Sequence, residues 1–188
     1  MIELLRERTN KQHQELESVL IPMIKKVNTP EEYVRLLELF YGYYYPLEQH
    51  IAAHMDISFP GGFGRRRKAP HLLDDIAAIS GKPADELPSS TDLPEITDNA
   101  QALGVMYVLE YLTLEGHLIY HMLLRNVQSP ELPGAMTFFN GYGADTESYW
   151  ETFAHYLHGY HGTEEQQQRM LDAATDTFLK FKAWVLKQ

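Results

Sequence analysis

ALGVMYVLEYLTLEGHLIYHMLL, residues 102–124, is the stretch that decides the fold. It has helix length and is apolar almost all the way round, with Glu110, Glu115, Gly116, His117 and His121 as its main interruptions. A helix apolar on nearly every face belongs at the centre of a bundle. Polar groups placed there need a partner, a ligand or a metal, because leaving them buried and unpaired costs roughly 1–3 kcal/mol each.

The rest of the chain supplies helices to surround it. Ile2, Leu5, Thr9, His13, Leu16 and Leu20 recur in steps of three and four, which predicts a first helix over residues 2–26. Thr29-Pro30-Glu31-Glu32 combines a cap, a proline suited to the first turn and a returning glutamate, and opens a second helix to about Met55. Pro46 lies inside it and predicts a kink near Tyr43–Tyr45. Residues 58–64, SFPGGFG, form a turn-rich link to a short helix at 69–79. Residues 80–97, with three prolines, read as a surface loop. The central helix spans 98–126, a short piece follows at 135–139, and another helix runs over 146–157. Thr163 to Gln166 is a second capping box, opening the last helix to about Leu186. Nothing reads as a strand, and no repeat or linker divides residues 1–188, so the expectation is an all-α helical bundle in a single domain.

Composition narrows the function. There is no cysteine, which excludes disulfides, zinc–thiolate centres and thiolate haem ligation. The net charge of −10 argues against a nucleic-acid or anionic-membrane partner. The N-terminus mixes charges from residue 3 and carries no signal pattern, and no apolar run is uninterrupted over membrane length. A soluble, cytoplasmic protein is expected.

The wording YVLE-x-x-T-L-x-G at 107–116 resembles the distal haem helix of bacterial, biliverdin-producing haem oxygenases, which usually read YVLEGSTLGG there. The similarity extends along the chain in the family's order. It includes Leu5-x3-Thr9-x3-His13-x2-Leu16, Phe40 to Glu48 (FYGYYYPLE), and Arg66-x-Lys68-x3-Leu72-x2-Asp75-Ile76. It continues through Phe138 to Gly143 (FFNGYG), Trp150-x2-Phe153, and Ala173-Ala174-x2-Thr177-Phe178. The resemblance implies a haem oxygenase-like helical bundle. The implied reaction is oxygen-dependent cleavage of haem to biliverdin, carbon monoxide and iron, with haem as both substrate and cofactor. The chain has no flavin or nicotinamide motif, so the electrons would come from a separate reductase.

Residue by residue, the resemblance makes His13 the iron ligand, with Glu17 one turn on as a possible acceptor for its second nitrogen. A buried histidine bonded to a backbone carbonyl is the plain alternative. Arg6, two turns before His13, would be a propionate partner, and His155, with His158 nearby, falls near a family arginine. Lys180 and Lys182 are further candidate cations, although solvated surface charge accounts for any of these. On the distal side Gly116 survives, but Tyr111 and Glu115 replace two glycines whose role is close backbone approach to a flat ligand. Tyr111 reads equally as a haem contact or as core filling.

Two further readings stay open. One is a non-catalytic haem- or ligand-binding relative with a filled distal pocket. The other is a non-haem di-iron oxidase on the same scaffold, using Glu110 with His117, Glu151 with His155, and Glu48. The pairs His50/His54 and His117/His121 have metal-ligand spacing but lack a third donor.

Overall fold

The computed structural model describes residues 1–56, 58–130 and 132–188. Among them are seven α-helices and no strand: α1 (Ile2–Lys25), α2 (Pro30–His54), α3 (Ala69–Ser80), α4 (Asn99–Asn126), α5 (Thr137–Asn140), α6 (Thr146–His158) and α7 (Glu164–Val185). No helix of the described residues is long and apolar enough to cross a membrane.

Helix starts follow their local chemistry. The Thr29 hydroxyl accepts from the Glu32 N–H, and the Glu32 carboxylate accepts in return from the Thr29 N–H, each at 3.2 Å. Thr163 and Gln166 repeat the device at α7. Asp98 caps α4 by accepting from the Gln101 N–H at 2.9 Å. Such caps satisfy N–H groups that a helix cannot bond internally. α2 continues through Pro46 as one helix, so the proline removes a hydrogen bond without ending it.

Two helix starts depend on partners distant in sequence. Glu48, fully buried on α2, accepts from the Lys68 and Ala69 N–H groups at the head of α3 and from Arg67 Nε at 3.2 Å. Asp75 on α3 accepts from the Thr137 N–H at 3.0 Å and the Phe138 N–H at 2.9 Å, which sets the start of α5. That long-range cap explains why the helix occupies 137–140 and not the 135–139 that local pattern suggests.

α4 runs through the middle and packs chiefly on α7, while α1 packs on α7 and also reaches α4. At Gly104 the backbones meet: a Cβ there would collide with the Met170 carbonyl. From Ala100 to Glu110 every residue of α4 is buried, and apolar side chains from all seven helices join one continuous core. Beyond Glu110 the helix becomes half-exposed, and Leu118 is 78% exposed. The change from buried to exposed falls in the segment that faces His13.

Candidate functional site

α1 carries Leu5, Thr9, His13, Leu16 and Leu20 on its buried face, so the helical period alone turns His13 inward. His13 is 8% exposed. Its ring is held edge-on to Tyr111 at 5.1 Å between centroids and lies 5.4 Å from Phe178 of α7. Its Nε2 points across the α1–α4 interface and is 2.9 Å from Glu115 Oε2. On the other edge, Nδ1 is 4.0 Å from Glu17 Oε2. Burial pulls the imidazole pKa down. The hydrogen bond and charge of Glu115, helped by Glu17, outweigh it, so His13 titrates above the usual 6.5.

Tyr111 is fixed by aromatic neighbours. Its ring stacks nearly parallel on Tyr107 at 5.8 Å and lies 5.8 Å from Trp150 of α6. Burial, then the charge and hydrogen bonding of Glu115, push its hydroxyl up to about 12. The phenol therefore stays protonated at neutral pH and available as a donor to the carboxylate. Arg6, exposed on α1, acts electrostatically on the hydroxyls of Tyr107 and Tyr111. The acidic and aromatic residues that stand for glycine in the distal pattern thus meet the imidazole directly.

Gly116 faces elsewhere. A Cβ there would lie 3.3 Å from the Phe139 carbonyl oxygen. It borders a cavity of about 40 Å³ with Leu20, Phe40, Tyr44, Leu112 and Phe138. Small-molecule sites occupy roughly 300–1,000 Å³. A larger groove, about 620 Å³, lies toward the C-terminal end of α1, between Val19, Met23, Leu36 and Leu39, and does not include His13.

The other sequence candidates are dispersed. His155 and His158 are exposed on α6. Lys180 Nζ donates to the Leu93 carbonyl at 2.8 Å, and Lys182 Nζ pairs with Glu15 at 2.9 Å. His54 Nδ1 lies 3.0 Å from the His50 carbonyl oxygen, so the two rings do not converge. His117 and His121 do converge, with their Nε2 atoms 3.0 Å apart on an exposed face.

The carboxylates of the di-iron alternative are engaged elsewhere. Glu110 is 2% exposed and bound by Arg66 at 2.7 Å and by the Tyr142 hydroxyl at 2.6 Å. Glu48 caps α3, and Glu151 is exposed on α6. Arg66 also lies over the rings of Phe59, Tyr149 and Phe153, and Lys68 Nζ sits 3.2 Å from the Tyr142 ring centroid. Burial lowers Lys68 to about 8, opposed by the charges of Glu110 and Glu48. Sequence reasoning missed this Arg66–Glu110–Tyr142–Lys68 group. Its members stood in three separate motifs of the resemblance, at 107–116, 66–76 and 138–143, with no local sign that they meet.

Comparison with known proteins agrees with this architecture. The family model described as Heme oxygenase matches residues 1–187. A heme oxygenase from Leptospira interrogans superposes with a TM-score of 0.77 at 19% identity, covering 100% of this chain and 98% of that one. The NO- and CO-bound heme oxygenase from Neisseria meningitidis gives 0.70 at 15% identity, covering 99% and 90%. No curated protein sequence matches the chain.

Proposed function

The chain belongs to the haem oxygenase family, and from that premise we propose that it is a non-catalytic member whose haem slot has been closed by its own side chains. The observation that carries this reading is the 2.9 Å contact between His13 Nε2 and Glu115. A metal–imidazole bond takes about 2 Å, and atoms of an opposing wall stay about 4 Å from a flat ligand. A porphyrin on His13 would therefore hold the α4 wall about 6 Å from Nε2. The residues present do not fit the group in this arrangement.

Rotating Glu115 away does not by itself open the slot. Tyr111 stands against the His13 ring and is held by Tyr107 and Trp150. Aromatic contacts of this kind are each worth about 0.5–1.5 kcal/mol beyond area burial. The surviving glycine, Gly116, lies against Phe139 and not against His13, so it offers no close backbone approach on this side.

A second reading retains haem cleavage to biliverdin, carbon monoxide and iron, with a separate reductase as partner. It is favoured by the placement of His13 opposite Tyr111 and Glu115, the two positions where the family pattern has glycines. It requires Tyr111 and Glu115 both to leave the slot, and the half-exposed Glu115 side chain has solvent to turn into.

Titration of the protein with hemin, followed by reductant and oxygen, separates the two. On the proposed reading the wild type shows no saturable Soret band dependent on His13 and forms no biliverdin. The double variant Tyr111→Gly with Glu115→Gly gains a saturable band that His13→Ala abolishes. Biliverdin from the wild type would overturn the reading.

A further inference from the structure

We propose that the groove between the C-terminal half of α1 and the N-terminal half of α2 is a binding site for an amphipathic carboxylate, an acyl chain or similar apolar body with one carboxylate head. The inference stands apart from the reading of the haem slot, because neither His13, Tyr111 nor Glu115 lines the groove. The groove holds about 620 Å³, within the roughly 300–1,000 Å³ of small-molecule sites. The cavity beside Gly116, at about 40 Å³, is far below that range.

The groove follows from how the chain packs. α1 and α2 are consecutive helices, yet each rests mainly on another partner, α1 on α7 and α2 on α3. Apolar side chains are therefore left to line the space between them: Val19, Pro22 and Met23 from α1, Leu36 and Leu39 from α2. The α2 wall is braced from behind, where Trp184 Nε1 donates to the Leu39 carbonyl at 2.8 Å. The Ser90 N–H donates to the Gly42 carbonyl at 2.7 Å, which holds the loop carrying Pro88 at the groove. A braced, mostly apolar cleft with a few polar groups is the usual form of a small-molecule site.

Charge selects the head group. Lys26, Arg35, Glu32 and Glu38 also line the groove. Both carboxylates are already engaged: Glu32 accepts from the Asn28 and Thr29 N–H groups at 2.8 and 3.2 Å, and Glu38 accepts from Lys82 Nζ at 2.6 Å. Lys26 and Arg35 pair with no carboxylate among the described residues. Two uncommitted cations thus stand beside an apolar lining, in a chain whose net charge of −10 otherwise repels anions. A carboxylate takes up the Arg35 fork and the Lys26 ammonium while its chain covers Val19, Met23 and Leu39. A neutral apolar ligand leaves the cations unused, and a small inorganic anion leaves the apolar lining bare.

The test uses the full chain and decanoate, with decanol as the uncharged control, followed by calorimetry and by backbone amide chemical shifts. The expected result is one saturable site per chain, with shifts centred on residues 19–27 and 35–39 and decanol bound more weakly. From octanoate to laurate, affinity should rise about tenfold for every two methylenes. The double variant Lys26→Gln with Arg35→Gln should weaken decanoate about fivefold, the scale of two solvent-accessible ion pairs, and leave decanol unchanged. Val19→Trp, at a half-buried position on the wall, should abolish binding of both with unchanged far-UV circular dichroism. Absence of saturable decanoate binding, shifts centred on His13 and Tyr111 instead, or indifference to the double charge variant overturns the proposal. A homodimer that Val19→Trp dissolves would assign the groove to a second copy and overturn it too. None of these outcomes bears on the hemin titration, so failure of this proposal and failure of the preceding reading are distinguishable.

Discussion

A lysine that is 1% exposed is expensive to keep charged, and Lys68 has Glu110 and Glu48 as compensation, with Arg66 acting against it. In the folded protein it titrates at about 8, below the ordinary lysine value of 10.5. Between those values the unfolded chain holds a proton that the folded chain has released, so stability rises with pH. Tyrosines raised by burial, such as Tyr44 and Tyr142, oppose this from about pH 9, where tyrosine in the unfolded chain begins to ionise. From pH 8 to 9 the Lys68 contribution should therefore approach about 1.4 kcal/mol per pH unit. Chemical denaturation of Lys68→Met across that range should show the slope removed. None of this was legible in the run at 65–68, because no local pattern says that Lys68 is buried beside Glu110 and Glu48. His13 was legible, because the apolar stripe of α1 turns it inward. Its partner was not. Glu115 stood out as a departure from the glycine pattern, but nothing local says that it crosses to His13.

At the scale of the element, sequence patterns located each long helix to within a residue or two, because caps and apolar stripes are local. α5 was misplaced by two residues, since its cap, Asp75, comes from another helix. Gly104 gave no sequence signal of its importance, because its restriction is a backbone in another helix. With the Met170 carbonyl against it, Gly104→Ala must push α4 away from α7. The expected cost is about 1–3 kcal/mol, in the range of overpacked cores, despite alanine's higher helix propensity. A denaturant titration measures it, and a stabilised variant would show that the α4–α7 contact is looser than the structure indicates.

Over the whole molecule, one core joins all seven helices, yet α4 is unequally supported along its length. Its buried half, 100–110, should exchange amide hydrogens only with global unfolding, and residues 114–122 should exchange much faster. Hydrogen exchange resolved by residue checks this, and equal protection of both halves would refute it. The haem oxygenase scaffold was readable from end to end because motif order survives even where individual positions drift. The altered site was readable only as a question, since side-chain encounters between α1 and α4 depend on packing that no local pattern encodes. The close approach at Gly104 pins the N-terminal half of α4, while the half beyond Glu110 is tethered only along one side, by Gly116 against Phe139 and by Leu123. Whatever seats between α1 and α4 should displace that half and leave the pinned half as a fixed reference, so spectroscopic labels at Leu118 should register occupancy to which labels near Ala100 are blind.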